Sequence, residues 1–165
     1  MPVGRDKALL RDALMAGLDR FPEARDYFVG MRFKPPPRYD RGLFIGLDDP
    51  AQPPASLIGQ MIPNPLVDGR LLDAKLGAGF ALIAQDAACS HWLAAADLSG
   101  CAVAPARVDL SSAAADPSAL RPIRAHRDQI MLVRPDRYVM GAFGPDEASA
   151  FAAELETLLG QAASA

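Results

Sequence analysis

Residues 79–84 read Gly-Phe-Ala-Leu-Ile-Ala, an apolar run with no polar residue to break it, closed by Gln85-Asp86. A strand with one wet face alternates apolar and polar side chains, so an unbroken run marks a central strand covered on both faces. The chain that follows must supply the covers. Cys89 to Leu98 carries Trp92, Leu93 and Ala96 at helical spacing, with Gly100 suited to the helix's C-terminal end. Ala102 to Leu110 is the next strand, with Val103 and Val108 as its best β formers. Residues 111–128, rich in Ser, Ala, Asp and Pro, read as a loop or loose helix. Two further strands, Ile130 to Val133 and Tyr138 to Phe143, flank Arg134-Pro135-Asp136-Arg137. Pro presets the second position of a type I turn and Asp tolerates the third, so this tetrapeptide reads as a hairpin turn in preference to a catalytic Arg/Asp pair. Gly144-Pro145-Asp146-Glu147 opens a last helix, with Phe151, Leu155, Leu158 and Leu159 as its inward stripe and Gly160 as its close. Strand, helix, strand, crossover, hairpin, helix is the α/β layout of a thioredoxin-like domain: a mixed sheet flanked by helices.

Ahead of it the pattern differs. Residues 6–20 place Leu9, Leu10, Ala13, Leu14 and Leu18 on one helical face, and a second short helix begins at Pro22 with Tyr27, Phe28 and Met31 inward. Two such helices bury too little surface to stand alone, and their apolar faces suit an interface. Residues 33–56 then hold six prolines, which favour extended chain, while Tyr39, Leu43, Phe44 and Ile45 are too apolar for a free linker. The expected organisation is an amphipathic helical segment over 1–32, a Pro-rich strap or linker over 33–56, and a thioredoxin-like domain lacking the Cys-x-x-Cys pair over 57–165.

Composition removes several function classes. With net charge -3 and pI ≈ 5.3, no basic patch invites nucleic acid or an anionic membrane. The longest apolar stretch, Gly77 to Ala84, is too short to span a bilayer, and the N-terminus lacks the apolar core of a secretory signal. Two cysteines give no disulfide framework, so a reducing cytoplasm is the expected location.

Candidate chemistry is sparse. Cys89 opens a helix after a strand, where a helix dipole lowers a thiol pKa, but redox exchange wants a second thiol three positions on and position 92 is Trp. Cys101 falls a helix length away, a poor disulfide partner, and an inert thiol is the preferred reading. Cys89 and His91 diverge around a helix, which disfavours a zinc site built with His126 and Cys101. His126, among Arg124, Arg127 and Asp128, reads as part of a solvated turn. Ser111 and Ser112 sit in an Ala-rich loop and suggest no Ser-His-Asp set. Arg32, Arg38 and Arg41 in the strap read as surface charge before carboxylate-gripping groups. No catalytic, cofactor-binding or metal residue is assigned.

Three stretches carry a resemblance. Gly59, Pro63 and Pro65 with Leu72-Asp73, Leu76-Gly77 and Gly79-Phe80-Ala81-Leu82-Ile83 form the first; Leu132-Val133-Arg134-Pro135-Asp136 with Tyr138-Val139 the second; Met31-Arg32-Phe33-Lys34-Pro35 with Pro37-Arg38-Tyr39 and Gly42 the third. Together they resemble the C-terminal region of class A FAD-dependent aromatic hydroxylases of the 3-(3-hydroxyphenyl)propionate hydroxylase type. Met140-Gly141 departs from that pattern, which usually has a small residue and then Trp. The resemblance implies a parent that uses FAD and NAD(P)H to insert oxygen into a phenolic ring, with this chain a piece or separately encoded tail of it. Gly77-Ala78-Gly79 precedes a strand, the wrong geometry for a flavin phosphate turn, so this chain alone is not expected to bind flavin. Its expected role is structural, against the flavin-binding body or in a homo-oligomer. The rivals are a small thiol oxidoreductase using Cys89 and a free-standing binding module with a pocket between strap and sheet.

Overall fold

The computed structural model describes residues 5–18, 20–29 and 38–163, in two units, 1–36 and 37–165. In the first unit α1 (Arg5–Leu18) and α2 (Pro22–Val29) meet at a turn where the Phe21 N–H donates to the Leu18 carbonyl at 2.8 Å. Pro22 takes the first position of α2, where its missing donor costs nothing, and Glu23 faces the positive helix end. Leu9, Leu10 and Phe21 are exposed. The side chains of Tyr27 and Phe28, and residues 30–37 with Met31 and Arg32 among them, lie outside those described.

The second unit begins with a small hairpin, β1 (Leu66–Val67) and β2 (Arg70–Leu71), over Asp68-Gly69. The φ values of those two residues, 51° and 75°, are the positive pair of a type I′ turn. Then come α3 (Leu72–Leu76), β3 (Ala81–Ala84), α4 (Ala87–Ala95), β4 (Ala106–Asp109), α5 (Pro117–Leu120) and a 3-10 turn at Ile123–His126. The hairpin strands β5 (Ile130–Val133) and β6 (Val139–Phe143) and the helix α6 (Ala148–Ala163) follow. The sheet order is β4-β3-β5-β6, with β3 parallel to β4 and antiparallel to β5, and β5 antiparallel to β6. This mixed α/β sheet flanked by helices is consistent with the thioredoxin-like arrangement that the element order predicts.

β3 explains its own sequence. Ala81 and Ile83 join a cluster with Leu72, Leu76, Val108 and Ile123, while Leu82 and Ala84 join a second with Leu93, Phe151 and Leu155. Strand side chains alternate faces, so a polar residue anywhere in Ala81–Ala84 would be buried.

One edge of the sheet is sealed by chain that precedes it. Gly59 N–H donates to the Val139 carbonyl, Val139 N–H to that of Gln60, and Ile62 N–H to that of Arg137, while Ile45 N–H donates to Met140. Phe44, Ile45, Leu57 and Ile58 are buried in the process. Gly141 on β6 leaves room here: a Cβ at that position would stand 2.7 Å from the Phe151 ring and 3.1 Å from Ile45. A side chain as large as tryptophan has no room here.

Several element boundaries differ from expectation. α4 starts at Ala87 because Asp86 caps it, and it ends at Ala95 because the Arg107 guanidinium takes the terminal carbonyls of Leu93 (2.7 Å) and Ala94 (3.1 Å). β4 is shorter than Ala102 to Leu110 because Ala104 turns at φ 40° and Pro105 lacks a donor. α6 runs through Gly160 to Ala163.

Candidate functional site

The end of β3 presents Cys89 at the start of α4, where the Asp86 carboxylate accepts from the Cys89 N–H at 2.7 Å. The side chain itself turns into the cluster of Leu82, Ala84 and Leu93 and is fully buried. Burial, reinforced by the Asp86 carboxylate, pushes its thiol up to about 12. At neutral pH it is therefore protonated, and a thiol is not the nucleophile that exchange chemistry requires. Cys101 is half-buried, and both cysteines are free. A water-soluble disulfide reagent is expected to titrate one thiol in the folded chain, Cys101, and both after denaturation; Cys101→Ser should leave the folded chain silent. Two fast thiols at pH 7 would contradict this placement of Cys89.

His126 overturns the expectation of a solvated turn. It is fully buried, and its Nε2 accepts the Leu57 N–H at 2.9 Å. That bond leaves the proton on Nδ1, which donates to Gln129 Oε1 at 2.7 Å. Burial holds its pKa below the usual 6.5, with the Gln129 bond opposing in part. The amide of Gln85, the polar residue that closes the apolar run, donates to the carbonyls of Ile123 (2.9 Å) and His126 (3.1 Å). A polar bridge thus joins the end of β3, the 3-10 turn and Leu57. His91 is exposed on α4 and takes no part. Among the described residues no three His, Cys, Asp or Glu side chains gather as a metal set.

The charged tetrapeptide is a hairpin turn. Arg137 N–H donates to the Arg134 carbonyl at 2.9 Å, and Arg134 grips both Asp136 oxygens (3.1 and 2.7 Å) beneath its guanidinium's approach to the Phe44 ring, 5.3 Å from the centroid. Arg137 sits at φ 72°, the left-handed position that ends a three-residue hairpin loop. Its guanidinium reaches the Asp73 carboxylate and the Gly77 carbonyl, tying the hairpin to α3. Arg38 turns onto the carbonyls of Ile58 (3.1 Å) and Leu47 (2.9 Å), bracing its own segment, whereas Arg41 is exposed and Arg32 lies outside the described residues. Gly77 closes α3 at φ 71° and leads into a strand, so Gly77 and Gly79 offer no helix N-terminus to a flavin diphosphate and do not fit it.

Two concavities stand out among the described residues. A cleft of about 450 Å³ lies between α4 and α6, with Leu82 and Phe143 on its floor and Trp92, Cys101 and Phe151 in its walls. A second, of about 490 Å³, separates Ile45, Asp49 and Gln52 from Glu147 and Glu154. The first, which forms between helices distant in the chain, was not expected from the sequence. Among the described residues no helix is long and apolar enough to cross a membrane.

Residues 59–158 match the HcaD C-terminal domain family. The chain is similar to a 3-(3-hydroxy-phenyl)propionate/3-hydroxycinnamic acid hydroxylase of Mycolicibacterium smegmatis, 32% identical over 168 aligned positions, covering 86% of this chain and 29% of the relative. It is also 39% identical over 87 positions to a hydroxylase of that description from Mycobacterium sp. (strain JLS), covering 50% of this chain and 15% of the relative. With one described as hydroxylase 2, from Burkholderia vietnamiensis, it shares 43% identity over 89 positions, 50% of this chain and 16% of the relative. The chain thus spans less than a third of the length of these relatives.

Proposed function

The chain belongs to the HcaD C-terminal domain family, and from that membership we propose that it is the structural and assembly domain of an FAD- and NAD(P)H-dependent aromatic-ring monooxygenase, a phenolic hydroxylase, and is not itself catalytic. The match over residues 59–158 carries the reading, because it takes in the whole sheet and its covers while the relatives extend far beyond it. On this reading residues 1–32 are the tail of the flavin-binding body, 33–56 the strap and 57–165 the domain proper.

Three features support a buttressing role. Arg38, Arg134 and Arg137 turn their guanidinium groups onto this chain's own carbonyls and carboxylates, those of Ile58, Leu47, Asp136, Asp73 and Gly77. Cys89, the residue on which a thiol oxidoreductase would be built, is buried and protonated. Leu66 and Leu71, paired across the small hairpin, are 61% and 51% exposed, and Met61 is 53% exposed, large apolar side chains of the kind a partner covers.

The test is association in trans. The parent's flavin-binding body, expressed without the segment equivalent to residues 38–163, is mixed with the 165-residue chain and followed by gel filtration and flavin fluorescence. Co-elution and slower loss of FAD on dilution are expected, and Leu66→Asp with Leu71→Asp should weaken both. A chain that elutes alone, or that oxidises a reduced nicotinamide unaided, overturns the proposal.

A further inference from the structure

We propose that the cleft between α4 and α6 is a binding site for a small aromatic cation, of which an arylalkylamine is the simplest form. Its volume, about 450 Å³, lies in the range of small-molecule sites, and its interior has their composition: apolar and aromatic walls with a few polar groups at the mouth. Trp92, Phe143 and Phe151 form a continuous aromatic surface. Trp92 meets Phe143 edge-on with centroids 5.6 Å apart, and Phe143 meets Phe151 at 4.4 Å. A flat ring gains apolar burial and offset stacking against such a surface.

The charge of the ligand follows from the rim. Asp97 and Glu156 are the charged residues lining the cleft, and both are acids. Asp97 accepts the Ser99 N–H at 3.0 Å, a bond that favours its ionised form. Arg107, the cation that bears on Asp97, has its guanidinium engaged by the carbonyls of Leu93, Ala94 and Ala96. An ammonium group at the mouth therefore enters a lining whose own charged residues are both acids, beside the aromatic rings. An aromatic carboxylate of the same size meets like charge there, which separates this cleft from any site for an aromatic acid.

Trp92 is the chain's single tryptophan, so its emission reports directly on the cleft, and Cys101 in the wall gives a second readout through its rate of alkylation. The full 165-residue chain is titrated with 2-phenylethylamine, 2-phenylethanol and 3-phenylpropionate, three probes of matched ring and differing charge. The amine should change Trp92 emission saturably, protect Cys101 and bind at least about fivefold tighter than the carboxylate, with the alcohol between. Glu156→Gln and Asp97→Asn should each weaken the amine about threefold and leave the alcohol unchanged, the second probe showing that the fold is intact. Equal binding of all three overturns the assignment, and so does silence from all three. A response to a lysine-bearing peptide without one to the amine would give the cleft to a protein partner and overturn it equally.

Discussion

Replacing His126 by alanine is expected to destabilise the second unit by about 3 kcal/mol, the sum of a buried donor left unpaired and a cavity where the ring stood. The donor is the Leu57 N–H, 69 residues away in sequence, so the loss falls on the attachment of the segment at Leu57 as well as on the 3-10 turn. Urea denaturation followed by Trp92 emission measures it as a lower midpoint. His126→Gln, whose amide oxygen can accept from Leu57, should recover part of the difference. A midpoint unchanged in His126→Ala would mean that the bridge contributes nothing. The same residue sets a pH dependence whose sign is fixed by its burial. The folded pKa lies below 6.5, so as pH falls the unfolded chain takes up the proton first. Its contribution is complete above pH 6.5 and is lost as pH drops from there toward the folded value. His126→Gln should flatten the stability profile in that window. The carboxylates of Asp68 and Asp116, held low by hydrogen bonds from Lys75 and from the Ser118 N–H respectively, act only further down, below their usual 3.8.

Gly59→Ala is expected to cost a similar amount, about 3 kcal/mol, from two separate sources. Gly59 stands at φ 79°, where an L side chain is strained, and a Cβ there would lie 2.7 Å from Leu47 and 2.8 Å from the Tyr39 carbonyl oxygen. The carbonyl is backbone and does not swing aside as a side chain would. Relief requires segment 58–62 to lift from β6, so amide exchange at Val139, whose N–H is bonded to Gln60, should accelerate more than exchange at Ile83 in the centre of the sheet. Equal acceleration at both amides would mean that the effect is global and that the seal is not where the strain falls.

How much of this was legible depended on how local the cause is. The run at 79–84, the hairpin turn at 134–137 and the stripe on α6 carry their periodicity or turn chemistry in adjacent residues, and the fold class follows from their order. The hairpin at 66–71 was missed although Asp68-Gly69 is a strong turn signal, because two-residue strands show no alternation. His126 misled because its neighbours Arg124, Arg127 and Asp128 are polar while it packs against chain far away in sequence, at Leu57. Asp86 marks the start of α4 from within the sequence, but Arg107, which ends it, arrives from another strand. The cleft was invisible for the same reason: its walls belong to α4 and α6, which pack on one face of the sheet but are separated in sequence by three strands.

Segment 58–62 leaves the ribosome well before the strand whose backbone it satisfies. During synthesis its donors and acceptors wait in water, and β6, once made, offers a bare row of its own until the two meet. Closure is therefore among the last long-range steps, the interval in which a nascent chain is most open to pairing with the wrong neighbour. Shortening the polypeptide from its front past residue 62 would keep every strand of the sheet and make that vulnerable interval permanent.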